Sequence, residues 1–268
     1  MIKVHVFHTG KVKVDQAIPH HENNPLAVTG LFRGKEKQMI LPVSCYLIQH
    51  PKGNVLIDTG WDTKYAYETP HQMFGLLNKI SAPIIRKDEG IDSKLKTLGL
   101  SDKNIDYCFI SHMDFDHTSG IRLVKNAKHI MTAEEEWKAC NKFGVRYVDT
   151  WSGICNIETF AYENTGIGPF GKSYDVFKDG SILLISTPGH SKGLFSVRIR
   201  NVDKYIVLGN DAAYTQRSFD EQVIPGFLTD KKQAIKSLEW LIQCRKDPNC
   251  LEVLANHDLS VKEHSIEL

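Results

Sequence analysis

The stretch "SHMDFDHTSG" at residues 111–120 concentrates groups that can bind metals or transfer protons, namely His112, Asp114, Asp116 and His117. The apolar run "YCFI" before it predicts a strand that ends at Ser111. Because residues two apart on an extended chain share a side, we expect His112 and Asp114 to face one point. Asp116 and His117 follow in a predicted turn that can bring them to an adjacent point. Two neighbouring pairs of ligands predict two neighbouring metal ions.

Three later segments place another His or Asp after an apolar run. These are His190 in "LLISTPGH", Asp211 in "YIVLGND" and His257 in "LEVLANH". Imidazole and carboxylate groups suit Zn, Fe and Mn. A single histidine at a strand end is more often structural. Four predicted strands that each deliver His or Asp into a loop instead favour a metal site.

Short apolar or alternating runs predict the strands that must position these groups. "VSCYLIQ" and "NVLIDTG" flank the turn "HPKG" and predict a hairpin. The other predicted strands are "IKVHVF", "DYCFIS", "SILLIST", "LFSVRIR", "KYIVLGN" and "LEVLAN". Two stretches, 62–90 and 141–175, lack a clear sheet rhythm. They are predicted to be loops that cover either a substrate or a core edge.

Helices are predicted between the strands. "DSKLKTLGL" would begin at Asp92, and Thr132 and Glu135 in "TAEEEWKAC" have the spacing of a capping box. "DKKQAIKSLEWLIQCRKDP" would begin at Asp230. Its apolar residues on one face are Ile235, Leu238, Leu241 and Ile242. Hairpins with flanking helices predict one α/β sandwich with the helices outside.

Composition narrows the class of protein. The chain has 268 residues, of which 41% are hydrophobic and 24% charged, with a formal net charge of +1. This is typical of a globular protein without a nucleic-acid surface, and we expect a single domain over 1–268. The six scattered cysteines favour a reduced, cytoplasmic protein. The sequence shows no signal-peptide pattern and no apolar run long enough for a membrane span, so we expect no membrane partner.

These motifs resemble the metallo-β-lactamase superfamily, whose signature is H-x-H-x-D-H followed by a later His, a bridging Asp and a last His. Within it, the chain is similar to N-acyl-homoserine lactonases. The matching segments, in the family's order, are "LPVSCYLIQ", "VLIDTG", "ISHMDFDHTSG", "STPGHSKG", "NDAAYTQRSFD" and "ANHD". The resemblance covers residues 41–258. It implies an αββα sandwich of two mixed sheets with helices on the outer faces.

The resemblance also implies roles for the site residues. One divalent ion would be held by His112, Asp114 and His190. The other would be held by Asp116, His117 and His257, with Asp211 between the two ions. Tyr214 would lie near the site and hydrogen-bond a substrate carbonyl. Asp58 in "LIDTG" is either an acceptor for a ligand histidine or an ordinary turn residue.

Asp114 departs from the family pattern, which has His at this position. The preferred interpretation is direct ligation by the carboxylate, which would favour Fe or Mn over Zn at that site. Alternatively, water or another histidine (His20, His21 or His71) completes the site, or the site is empty and the protein mononuclear. An added carboxylate lowers the positive charge of the centre. We therefore expect a more alkaline activity optimum than in an Asp114→His variant.

The implied function is metal-dependent hydrolysis of an N-acyl-homoserine lactone or related lactone, with a hydroxide between the two ions as nucleophile and Asp116 as proton shuttle. The small-molecule substrate would be the main partner, and the protein a monomer or homodimer. Alternatives are a different ester, thioester or phosphodiester hydrolase. A phosphodiester substrate would need cations near the metals, for which Arg122 and Lys192 are candidates, although such side chains are usually solvated. A non-catalytic metal-binding protein and a redox di-iron protein are further alternatives.

Overall fold

The computed structural model of the protein describes residues 1–24, 26–67, 80–142 and 146–268. In these ranges the chain forms two mixed β-sheets. The first sheet contains β1 (Lys3–Asp15), β2 (Gln38–His50), β3 (Gly53–Ile57), β4 (Ser81–Ile84), β5 (Tyr107–Ile110), β6 (His129–Ala133), β7 (Glu158–Phe160) and β14 (His264–Glu267). The second contains β8 (Glu163–Asn164), β9 (Lys172–Asp175), β10 (Ile182–Ser186), β11 (Phe195–Asn201), β12 (Lys204–Leu208) and β13 (Cys250–Leu254).

The strand directions bring the ends of several strands to common edges. In the first sheet, β3, β5, β6 and β7 run parallel to one another. In the second sheet, β12 and β13 are parallel, and β10 runs the same way because β11 is antiparallel to both β10 and β12. The loops after β3 and β5, and those after β10, β12 and β13, therefore leave their sheets at the carboxyl edge. In open sheets this edge is where ligands bind.

The helices lie outside the sheets. Those in the described ranges are α1 (Ile91–Thr97), α2 (Phe115–Thr118), α3 (Glu134–Cys140), α4 (Gln216–Asp220) and α5 (Lys231–Lys246). Apolar side chains from both sheets, such as Ile57 and Leu208, form the core between them. A second apolar cluster includes Leu95 of α1 beside the first sheet, and a third includes Leu241 of α5 beside the second. The predicted αββα sandwich is confirmed.

Several local predictions are confirmed and others are wrong. The hairpin of β2 and β3 pairs His50 with Gly53. Asp230 caps α5, since its carboxylate accepts from the backbone N–H of Gln233 at 3.0 Å. Ile235, however, is 40% exposed and does not share the buried face of α5.

The capping box predicted from Thr132 does not form, because its hydroxyl donates to the Ile110 carbonyl in the neighbouring strand. Helix α3 begins at Glu134 instead. Helix α1 begins at Ile91, so Asp92 lies in its first turn and Gly90 is the N-cap.

The stretches predicted to be irregular contain short strands. In 62–90, β4 pairs with β1, and 141–175 contains β7, β8 and β9. The residues 68–79 and 143–145 lie outside the described part, so the predicted substrate-covering role of those segments stays a prediction. In the described ranges, no helix combines the length and apolar character needed to cross a membrane.

Candidate metal centre

The residues predicted to bind metal come together at the carboxyl ends of strands from both sheets. His112 follows β5, whereas Asp116 and His117 lie on α2. Helix α2 forms in place of the predicted turn because the Asp114 carbonyl accepts from the N–H groups of His117 and Thr118. The second sheet contributes the later candidate ligands, which follow β10, β12 and β13. These are His190, Asp211 and His257.

Three groups form a first cluster, His112, His190 and Asp211. The two Nε2 atoms lie 3.2 Å apart, and Asp211 Oδ2 lies 3.7 Å from His112 Nε2 and 3.6 Å from His190 Nε2. Two ligands of one tetrahedral zinc ion stand about 3.3 Å apart, given metal–nitrogen bonds near 2 Å. The first cluster therefore has the spacing of ligands around one ion.

A second cluster comprises Asp116, His117 and His257. Asp116 Oδ2 lies 3.7 Å from His117 Nε2 and 3.9 Å from His257 Nε2. The other oxygen of Asp211, Oδ1, lies 3.5 Å from His117 Nε2 and 3.2 Å from His257 Nε2. Asp211 thus turns one oxygen toward each cluster, which is the arrangement that a bridging ligand requires.

Each histidine of the two clusters has its Nδ1 atom engaged away from the clusters. His190 Nδ1 donates to the Phe227 carbonyl at 2.7 Å, and His257 Nδ1 donates to the Pro42 carbonyl at 2.8 Å. A carbonyl oxygen only accepts, so these rings carry the proton on Nδ1 and keep the Nε2 lone pair for the cluster. Such orientation of metal-binding histidines by hydrogen bonds is typical of metal sites.

Asp58 orients the remaining two histidines. Its Oδ2 accepts from His117 Nδ1 at 2.9 Å and from the Ser111 hydroxyl at 2.7 Å. The Ser111 oxygen in turn lies 3.0 Å from His112 Nδ1 and can accept its proton. Asp58 is buried and has a positive φ of 60°, a conformation that costs energy for most residues but is tolerated by Asp and Asn. Asp58 therefore supports one histidine of each cluster.

The electrostatics of the centre favour a cation. Burial disfavours the charged ring of His117, but the carboxylates of Asp211, Asp116 and Asp58 raise its pKa well above the usual range. Burial also disfavours the Asp211 carboxylate, yet the imidazoles of His257, His117 and His112 hold its pKa well below the usual range. His117 Nε2 is buried and makes no hydrogen bond within the described part of the chain. A metal ion would replace protons at such lone pairs, so the residues fit a pair of divalent ions.

Asp114 stands beside the first cluster, with Oδ2 3.5 Å from His112 Nε2 and 3.1 Å from His190 Nε2. Both its oxygens are also held by Arg146, whose Nε and Nη2 each donate at 2.7 Å. Burial disfavours ionisation of the Asp114 carboxyl, but Arg146 and the two histidines hold its pKa well below the usual range. Ligation by Asp114 stays a prediction, now with an arginine partner that the sequence analysis missed.

Glu136 is a second residue that the sequence analysis missed. It is fully buried on α3. Its Oε1 accepts from the Met113 N–H at 3.0 Å, and its Oε2 accepts from the Gly193 N–H at 2.8 Å. The side chain therefore joins the loop that carries His112 to the loop that carries His190. The run "EEE" gave no sign of this, because three successive glutamates at a helix start are usually solvated.

A cavity opens beside the two clusters. Tyr214 forms part of its wall and stacks on His257, with ring centroids 4.8 Å apart. Burial, followed by the nearby Asp211 and Asp116, raises the pKa of the Tyr214 phenol well above the usual range, so the phenol keeps its proton. The apolar part of the wall comprises Val14, Ile18, Ile80, Phe115 and Phe227.

Among the described residues, the alternative ligands and cations have other partners or are exposed. His20 hydrogen-bonds the Thr215 hydroxyl at 2.8 Å, and His21 lies 3.2 Å from Lys231 Nζ. His71 lies outside the described residues. Arg122 forms a two-pronged ion pair with Asp62, at 2.9 and 2.7 Å. Lys192 is exposed.

Fold and site together define a protein with the metallo-β-lactamase arrangement, and comparison with known families agrees. Residues 40–249 match the model of the metallo-beta-lactamase superfamily, and the chain belongs to that superfamily.

The chain is 30% identical over 226 residues to the N-acyl homoserine lactonase AttM of Agrobacterium fabrum. This match covers 81% of this chain and 82% of AttM. It is 26% identical over 230 residues to the N-acyl homoserine lactonase AiiA of Bacillus thuringiensis subsp. kurstaki, covering 83% and 84%. The predicted resemblance to N-acyl-homoserine lactonases is thereby confirmed.

Solved structures show the same fold. One is an N-acyl homoserine lactone hydrolase with the product N-hexanoyl-L-homoserine bound at its catalytic metal centre. It superposes with a TM-score of 0.73 at 24% identity, over 96% of this chain and 93% of that one.

Proposed function

We propose that this protein is a metal-dependent hydrolase that opens the lactone ring of N-acyl-homoserine lactones or closely related lactones. One observation carries the proposal: Asp211 turns an oxygen to each of two ligand clusters beside a cavity that contains an unionised tyrosine. The relatives AttM and AiiA, both N-acyl homoserine lactonases, supply the substrate class.

The proposed ligands are His112, His190 and Asp211 for one ion, with Asp114 beside them, and Asp116, His117, His257 and Asp211 for the other. When bound, two divalent ions supply a nucleophilic water at neutral pH and polarise a carbonyl group. Zn, Fe and Mn all suit this donor set, and the carboxylate of Asp114 favours Fe or Mn in the first cluster.

The chain's own groups would perform the remaining steps. The Tyr214 phenol keeps its proton and can donate it in a hydrogen bond to the carbonyl oxygen as negative charge develops there. Attack by water forms a new C–O bond, and the ester C–O bond of the ring breaks. Asp116, whose side chain remains 13% exposed at the cavity, can pass the proton released by the water to the departing alkoxide oxygen. The product is an N-acyl-homoserine.

The residues that line the cavity favour a substrate with an acyl group. Its wall combines aliphatic and aromatic side chains with a few polar groups next to the clusters, as small-molecule sites commonly do. Arg122 is paired with Asp62 rather than directed at the clusters. This weakens the argument for a phosphodiester substrate that its sequence position suggested.

The six cysteines are all free thiols, and this agrees with the proposed cytoplasmic location.

The test is proton release from a panel of N-acyl-homoserine lactones, with chelator-stripped protein reloaded separately with Zn, Mn or Fe(II). We expect metal-dependent ring opening that falls by about 100-fold or more in Asp116→Asn, the usual range for losing an acid–base group. Tyr214→Phe should lower kcat, whereas Tyr205→Phe should not. Tyr205 is the matched control because its phenol pairs with Asp247 at the far end of α5. No turnover by protein that holds two ions would overturn the lactonase proposal.

A further inference from the structure

The side chain of Arg146 is only 10% exposed and lies next to the first cluster. It makes four polar contacts there: two with the Asp114 carboxylate, one from Nη1 to the His190 carbonyl oxygen at 2.6 Å, and one from Nη2 to His190 Nε2 at 2.9 Å. Its other surroundings are aromatic, since it lies 4.8 Å from the Phe227 ring centroid and 5.4 Å from that of Tyr147. These contacts hold the guanidinium against the first cluster.

The contact with His190 Nε2 conflicts with metal binding. His190 Nδ1 donates to the Phe227 carbonyl, so the only lone pair that this ring can offer an ion is on Nε2. An N–H of Arg146 points at that same atom. The guanidinium also pairs with both oxygens of Asp114, so this carboxylate attracts a divalent ion less than an unpaired carboxylate would.

The second cluster has a different environment. In the described part of the chain, the ion-pair partners of Asp116 are His117 and His257, which are themselves ligand candidates. The Nε2 atom of His117 makes no hydrogen bond within the described residues. His257 Nε2 lies 3.4 Å from the neutral amide of Asn256, whereas His190 Nε2 lies 2.9 Å from the charged guanidinium of Arg146. The two clusters thus share Asp211 but differ in the charge of the donor that faces a ligand nitrogen.

We propose that Arg146 is a positioning residue that makes the two metal sites unequal. It fixes the carboxylate of Asp114, which stands where the family pattern has a histidine. It also competes with the ion for the Nε2 atom of His190. The first cluster consequently binds a divalent ion more weakly than the second. This inference rests on the proposal that both clusters bind metal, but it concerns affinity and not the substrate.

The experiment is calorimetric and spectroscopic titration of metal-stripped protein with Co(II). Wild type should bind two equivalents in separate steps, with dissociation constants at least about tenfold apart. Arg146→Gln removes the positive charge and the two-pronged pairing with Asp114. It should lower the dissociation constant of the weaker step about tenfold or more and leave that of the tighter step unchanged.

Arg122→Gln is the matched control because Arg122 forms the same two-pronged pair with Asp62 away from the clusters. It should leave both steps as in wild type. If Arg146→Gln fails to fold, Arg146→Lys should still tighten the weaker step, because an ammonium cannot hold both Asp114 oxygens and also reach His190.

Two equal steps in wild type would overturn the inference and leave the lactonase proposal standing. The inference would also be overturned if the dissociation constant of the weaker step stayed the same or rose in the Arg146 variants. Absence of any Co(II) binding would overturn the metal centre and the inference together. Two unequal steps without any lactone hydrolysis would contradict only the proposed substrate.

Discussion

The substitution Asp58→Asn tests whether one buried carboxylate prepares histidines of both clusters for metal. Asp58 accepts three hydrogen bonds, from the Ser111 N–H, the Ser111 hydroxyl and His117 Nδ1. Asparagine has one acceptor oxygen and a donor –NH2 group, so it cannot accept at both positions. Because Asn tolerates a positive φ, the backbone at residue 58 should keep its conformation.

Either orientation of the new amide has a cost. If the –NH2 faces His117, the ring must accept at Nδ1 and carry its proton on Nε2, where it blocks the metal. If the amide is reversed, the –NH2 faces the Ser111 N–H and leaves a buried donor unpaired. Loss of a hydrogen bond to a charged group costs about 1.5–3 kcal/mol. In the first orientation this corresponds to a loss in metal affinity of about 10- to 150-fold, whereas in the second it lowers the stability of the folded chain.

The assay is competition for Zn(II) against a chromophoric chelator, with thermal unfolding of the metal-free protein as a second measurement. Asp15→Asn is the control, since Asp15 is equally buried and accepts from the Ala17 N–H and from Arg33 away from the clusters. It should lower stability without lowering metal affinity. Wild-type metal affinity together with wild-type stability in Asp58→Asn would refute the argument that Asp58 sets the histidine tautomers.

Three further results are expected. Glu136→Gln sets an amide –NH2 against the Met113 or the Gly193 N–H, and urea unfolding should show a loss of about 1–3 kcal/mol. Asp230→Ala removes the N-cap of α5 and should cost about 1 kcal/mol in the same assay, with metal affinity unchanged. In Asp114→His the charge of Arg146 is no longer balanced, so the pH–rate profile should shift to lower pH. Adding Arg146→Gln should return the profile toward that of wild type. An unchanged profile in the double variant, relative to Asp114→His, would contradict this charge argument.

The sequence was sufficient for the parts of the site that lie at strand ends. His112, His190 and His257 each follow an apolar run, and the end of such a run fixes where the side chain emerges. The position of the helices outside the sheets could be predicted from the apolar runs and amphipathic helices along the chain, whereas the αββα order of the layers was implied by the family resemblance. Asp58, left between two interpretations, proves to be the acceptor for His117.

The missing parts depend on contacts between distant segments. Arg146 lies 32 positions from Asp114 in a stretch without strand or helix periodicity, so nothing local marks its partner. Strand β8 is two residues long and exposed, and such a strand has no hydrophobic alternation to detect. Thr132 had the right spacing for a helix cap, but its place in the sheet gave its hydroxyl a nearer acceptor in Ile110.

The division of the proposed ligands between the two sheets would link metal supply to the lifetime of the folded protein. His112, Asp116 and His117 belong to the first sheet and its following helix, whereas His190, Asp211 and His257 belong to the second. An ion held by both groups clamps the open ends of the sandwich together and stabilises the folded chain in proportion to the logarithm of its free concentration. A cell short of metal would then lose this protein to proteases as well as losing its activity, so the amount of protein would itself report metal supply.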